Sequence, residues 1–140
     1  MDVHNMKCVM IFADDLPIGV IANTAAIMGA SLGKADPEVV GITPTDKDGK
    51  EHSGLIQFPV PILKSDSETI RDIRKKALET YGDEIDIIDF TDIAQKSMTY
   101  EEFLDNYKQA SGDEISYLGL TLCGPKKAIN KLTGNLALLR

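Results

Sequence analysis

Apolar positions along the chain switch between a run pattern and a helical period. Lys7–Ala13 (KCVMIFA) is a short apolar run of strand formers, as in a strand buried on both faces. It stops at Asp14-Asp15. Pro17 then suits the first turn of a helix whose stripe is Ile18, Ile21, Ala22, Ala25, Met28, Gly29 and Leu32, with Gly33 as its stop. The small residues Gly19, Ala22, Ala25, Ala26, Gly29 and Ala30 allow that helix a close approach to a sheet or to another helix.

Val39–Thr43 reads as a strand, Asp46–Lys50 as a hairpin-type turn around Asp48-Gly49, and Leu55–Lys64 as the return strand. Pro59 and Pro61 place part of that return strand at an edge or bulge. Ser65 with Glu68 has the spacing of a capping box, opening a helix with Ile70, Ile73, Ala77 and Tyr81 inward and ending at Gly82. Glu84–Phe90 is a strand with interleaved acids, and Thr91–Ser97 a turn of helix. A second box, Thr99 with Glu102, opens a helix with Tyr100, Phe103, Leu104 and Tyr107 on one side. Ile115–Cys123 is a strong strand. Gly124-Pro125 opens a last helix with Ala128, Ile129 and Leu132 inward, and Leu136–Leu139 adds a short final strand. Strands separated by helices predict an α/β/α sandwich with a mixed, mostly parallel sheet, in one domain spanning residues 1–140.

Composition narrows the partners. The chain has 15 Lys+Arg against 22 Asp+Glu, a formal net charge of −7, with 43% hydrophobic residues. That balance opposes phosphate-driven nucleic-acid binding and an anionic membrane surface. The densest basic cluster, Arg71, Arg74, Lys75 and Lys76, reads as a solvated helix face, with salt-dependent tRNA binding as the competing reading. Two cysteines are too few for a disulfide scaffold. No apolar run approaches the roughly 18 residues of a membrane span. With an N-terminus unlike a secretory leader, a cytoplasmic location is expected.

Two segments carry a resemblance. Asp15-Leu16-Pro17-Ile18-Gly19 leads from a strand into an alanine-rich helix, and Tyr117–Arg140 reads YLGLTLCGPKKAINKLTGNLALLR. Together they resemble the type II peptidyl-tRNA hydrolase superfamily, and the full length looks like an uncharacterised bacterial family within it, a domain of unknown function. The resemblance implies a three-layer α/β/α fold, and a homodimer. It also implies where the hydrolases carry their chemistry. Their lysines after the glycine correspond here to Val20 and Ala22, which can neither contact phosphate nor move a proton. Their functional Asp corresponds to Asp89, the following Thr is replaced nearby by Thr91, and their Arg has no counterpart. A helix-sized insertion, Thr99–Ala110, stands where they have a short loop.

Three strand ends therefore hold candidate chemistry: Asp14-Asp15, Asp89-Thr91-Asp92 and Cys123-Gly124. The aspartates are ligand-binding candidates or helix caps. Asn23 would join Asp15 at a pocket, and Gly124 with the following amides would receive an anion. Asp89, Thr91 and Cys123 form a reduced catalytic set, with Cys123 either activated at a helix N-terminus or a plain core residue. Carboxylates without a nearby His would suit a hard cation, yet the ends of different strands lie apart, so no metal and no cofactor is assigned. The sequence thus favours a module binding a small molecule or protein without hydrolase activity. A hydrolase with a reduced or altered site, with peptidyl-tRNA as its candidate substrate, is the alternative.

Overall fold

The computed structural model describes Met1–Arg140. The first apolar run forms β1, Met6–Ala13, buried from Cys8 onward. After Pro17 the chain enters α1, Ile18–Ala35. The amides of Val20 and Ile21 donate to the Pro17 carbonyl. The helix continues past Gly33, because a glycine in a helical conformation only weakens a helix. By length and composition α1 is apolar enough to cross a membrane, at mean hydropathy 1.2. Its Ala and Gly content hides this from a search for long apolar runs. It packs on the sheet through Thr24, Met28 and Leu32.

β2 is Ile62–Ser65 and α2 is Ser67–Tyr81. The α2 cap is Asp66, whose carboxylate accepts from the Thr69 amide at 2.8 Å, while Ser65 ends the strand before it. Gly82 closes α2 at φ 52°, a region that favours glycine. β3, Asp86–Thr91, leads through α3, Asp92–Lys96, to α4, Tyr100–Gln109. Thr99 caps α4 by accepting from the Glu102 amide at 3.1 Å; the Glu102 carboxylate reaches back to the Met98 amide instead. β4 is Tyr117–Pro125, α5 is Lys126–Thr133 and β5 is Ala137–Leu138.

The sheet order is β3-β4-β1-β2-β5. Only β1 and β2 are parallel, with Met10 opposite Ile62 and Ala13 opposite Ser65; the other three pairings are antiparallel. The expectation of a mostly parallel sheet fails at β4. A single crossover helix would carry the chain back to the start of the sheet and give a parallel strand. Two helices, α3 and α4, return it to the end where β3 stopped, so β4 runs the other way, with Tyr117 opposite Thr91.

Residues 39–64 also depart from expectation. Val39 belongs to a 3-10 turn, Pro37–Val39, and the predicted hairpin strands reduce to isolated bridges, Val40 with Ile56 and Thr45 with Glu51, except that Ile62–Lys64 of the return strand lie in β2. The turn itself forms, with Gly49 at φ 82° and the Asp46 amide donating to the Lys50 carbonyl at 2.8 Å. Pro44, Pro59 and Pro61 lack the N–H that a strand ladder requires, and β2 begins only after the last of them.

Alternation along β1 separates two faces. Val9, Ile11 and Ala13 pack with Ile70, Ile73 and Ala77 of α2 and with Ala128, Ile129 and Leu132 of α5. Met10 and Phe12 pack with Met28 of α1 and with Phe90 and Leu118, while Cys8 and Cys123 pack with Leu32, Val39 and Phe58. Helices thus cover both faces. Gly119 sets the approach of α1, since a Cβ there would lie 2.9 Å from Thr24 Cγ2.

Candidate functional site

β1, β2 and β3 point to one end of the sheet, and each is followed by a helix and an aspartate. Asp14 and Asp15 follow β1, Asp66 follows β2 and Asp92 opens α3. Asp14 and Asp15 are exposed, and neither caps α1, whose N-cap is Pro17 without a side-chain bond. The Asp14 amide instead donates to the Ser65 carbonyl at 3.0 Å, closing the seam between β1 and β2. Asp92 is tied to the start of β4: its carboxylate accepts from the Ser116 amide, and its own amide donates to the Ser116 carbonyl, both at 3.0 Å.

Asp89 and Thr91 share the face of β3 that α2 covers. Arg74 of α2 donates to the Asp89 carboxylate at 2.8 Å, forming a half-buried ion pair. Thr91 is 1% exposed, and its hydroxyl is hydrogen-bonded to the Tyr107 hydroxyl of α4. Burial pushes the Tyr107 phenol up, the bond to Thr91 offsets part of that, and the Asp89 charge adds to the rise. Tyr107 therefore stays a neutral hydroxyl at physiological pH. Arg71 and Arg74 both lie over the Tyr117 ring, at 5.3 and 5.4 Å from its centroid. Arg71 also donates to the carbonyls of Gly112 and Ile115, holding the segment before β4. Two of the four basic residues in the 71–76 cluster thus face the protein rather than solvent.

Cys123 and Gly124 lie elsewhere. Cys123 is inside β4, opposite Cys8 of β1 and Asp86 of β3, near the other end of the sheet. The six residues from Cys8 to Asp14 span roughly 20 Å of strand. Cys123 is also on the α1 face, whereas Asp89 is on the α2 face. Both cysteines are free and fully buried. The thiol pKa of Cys123 is pushed up by its hydrogen bond to Cys8 and by burial, the reverse of activation at a helix start. Gly124 has its open side filled by Ile85, whose Cγ2 would lie 2.5 Å from an added Cβ. Asn23 is exposed on the outer side of α1. Of the named site residues, then, only Asp89 and Thr91 share one cluster; its other members are Arg74, read from sequence as part of a solvated face or a tRNA contact, and Tyr107 and Tyr117, which were not singled out as site residues. Tyr107 was legible only as part of an aromatic helix face, and nothing in spacing links Arg74 to Asp89.

Two concavities flank α1. One, of about 370 Å³, lies at the free edge of β3 and is lined by Ile27 and Ser31 of α1, by Asp89 and Phe90, and by Tyr100, Phe103 and Tyr107 of α4. The other, of about 400 Å³, is almost wholly apolar, lined by Ala25, Ala26, Gly29 and Gly33 of α1 facing Val40, Ile56 and Val60. Between them runs the outer side of α1, where Ala22, Ala26 and Ala30 form one exposed row beside Ile18 and Ile27. No charged residue occurs from Ile18 to Gly33.

These features define a class: an α/β protein with a five-stranded mixed sheet and helices on both faces, in which Asp89, Thr91 and Asp92 are engaged with other side chains or with the backbone. The chain belongs to a protein family of unknown function, DUF2000, whose model matches residues 6–140. No curated protein matches it. Among solved structures it is similar to Atu0240, a protein of unknown function from Agrobacterium tumefaciens, at 21% identity and TM-score 0.83, over 96% of this chain and 97% of that one. At that identity the likeness establishes the fold.

Proposed function

We propose that this chain is a binding module on a scaffold of the type II peptidyl-tRNA hydrolase kind, without hydrolase activity, and that it pairs with a second copy through α1. The observation that carries this reading is the exterior of α1, a helix side with no charge over Ile18–Gly33, set between two concavities. An uncharged helix exterior continuous with two concavities is the kind of surface through which proteins associate. The occupant is argued from charge. Two chains of −7 repel, and a face free of carboxylates is where they can meet. The row Ala22, Ala26, Ala30 lets two α1 helices approach closely about a two-fold axis, with Ile18 and Ile27 of each helix beside the furrow of the other.

Area sets a requirement on the neighbours. α1 has 18 residues, a strip about 27 Å long and about 10 Å wide, or roughly 300 Å². A stable pair needs about 800 Å² from each partner. The remainder falls to the surfaces flanking α1, among them exposed Val40 in the groove beside it. The absence of catalysis is supported by the engagement of Asp89 with Arg74, of Thr91 with Tyr107, and by the burial of Cys123.

Sedimentation of the native chain should show a dimer, and Ala26→Arg should give a folded monomer by circular dichroism. A native chain that stays monomeric at high micromolar concentration, or an Ala26→Arg dimer, refutes the pairing. Incubation with peptidyl-tRNA should give no cleavage above buffer. Turnover abolished by Asp89→Ala would replace the binding reading with the hydrolase one.

A further inference from the structure

The end of the sheet away from Asp14 and Asp92 holds the largest cavity described for this protein, about 570 Å³. It lies where β1 and α5 begin, with segment 57–61 as its other wall. Lys7, Lys126 and His4 line it, with Gln57. Phe58 and Pro61 are among the residues that give it an apolar floor. No carboxylate lines it, in a chain with 22 acidic residues against 15 basic ones.

The nearest acid in sequence is turned away to another task. The Asp2 carboxylate accepts from the His4 amide at 3.2 Å and from the Asn5 side chain at 2.7 Å, closing the Val3–Asn5 turn. The four ion pairs of the protein involve none of Lys7, Lys126 and His4. Lys7 is nonetheless held in place, because its ammonium donates to the Asn130 side chain of α5 at 2.7 Å. That contact uses one of its three protons. Lys126 stands in the first turn of α5, where the helix field disfavours a cation. An anion in the cavity beside Lys126 offsets that unfavourable field.

The geometry points to a binding site for a small organic anion, its carboxylate or phosphate held by Lys7 and Lys126 and its apolar body laid against Phe58 and Pro61. The cavity volume falls in the range of small-molecule sites, about 300–1,000 Å³. The apolar wall separates this from a site for free phosphate, which would gain nothing from Phe58. It is also distinct from the α1 exterior, so each can fail while the other stands.

The test uses two probes of one shape, anilinonaphthalene sulfonate, which is an anion, and N-phenylnaphthylamine, which is neutral. Fluorescence titration of the native chain should give saturable binding of the sulfonate. Lys7→Gln with Lys126→Gln should weaken it about tenfold for each lysine, the size of a charge-assisted contact. The neutral probe should be unaffected by the double substitution. Backbone amide shifts on sulfonate binding should fall at Lys7, Phe58 and Lys126. Benzoate should displace the sulfonate better than inorganic phosphate if the head is a carboxylate. Phenyl phosphate should do so if it is a phosphate. Unchanged sulfonate binding in the double variant, shifts confined to α1, or displacement by inorganic phosphate as effective as by either organic anion would each overturn the proposal.

Discussion

Removing the Tyr107 hydroxyl tests whether Thr91 is a structural anchor or a reactive group. Thr91 is 1% exposed, and Tyr107 is the hydrogen-bond partner of its hydroxyl. Tyr107→Phe leaves that hydroxyl buried and unpaired, a penalty of about 1–3 kcal/mol. Thr91→Val strands the Tyr107 hydroxyl instead. Tyr107 is only half-buried, so its hydroxyl regains some solvent and the expected loss is smaller, about 0.5–1.5 kcal/mol. The double variant replaces both partners with apolar groups of similar shape, and its loss should be less than the sum by about 1 kcal/mol or more. At this chain length Tyr107→Phe should lower Tm by about 3–9 °C. The assay is urea unfolding of all four proteins, reading midpoint shifts at constant slope. Hydrogen exchange adds a local readout. α4 has no buried residue, and it is anchored through half-buried Phe103 and Tyr107, so amides over Tyr100–Gln109 should exchange faster in both single variants. Strictly additive losses, or a Thr91→Val variant as stable as the parent with α4 unaltered, refute the anchor.

Two further substitutions probe the opposite end of the sheet. Burial, then the charge of Asp36, raises the Asp86 pKa above its ordinary 3.8. Its protonated form is therefore favoured by folding, and that stability is complete below pH 3.8 and is lost as pH rises through the raised value. Asp86→Asn should accordingly stabilise the protein at pH 7 and lose its advantage in acid; a gain that does not depend on pH contradicts the assignment. Gly124→Ala puts a Cβ 2.5 Å from Ile85 Cγ2 and 3.3 Å from the Ile85 backbone, so thermal unfolding should show a loss of about 1–3 kcal/mol by overpacking, and a neutral result would mean that Ile85 moves freely.

How much of this was legible in the sequence follows from the range of each interaction. Apolar patterning located β1, α2, β4 and α5 because the strands bury a continuous run and the helices bury one face at helical spacing. The direction of β4 was not legible, because it depends on which end of the sheet α3 and α4 return the chain to, and no local pattern fixes that. The pair Asp89–Arg74 spans 15 residues, and Lys7–Asn130 spans 123. No local rule connects such partners. Cys123 misled for a related reason. Its place just before Gly124-Pro125 looked like a helix start, but β4 runs on to Pro125 and the helix opens at Lys126.

Segment 55–62 bears most on the binding reading. Its sequence reads as part of a return strand, Leu55–Lys64, and strands pair with sheets. Its two prolines prevent that, and the segment instead contributes side chains to two separate surfaces. Ile56, Val60 and Ile62 line the groove beside α1, while Gln57, Phe58, Pro59 and Pro61 line the cavity with Lys7 and Lys126. A hydrogen-bonded strand would have buried one set of these side chains in the sheet layers. An extended segment with a single bridge, Val40 with Ile56, keeps both sets available. The prolines thus determine both where β2 starts and why two surfaces of opposite chemistry, one uncharged and one cationic, share a wall in an acidic protein.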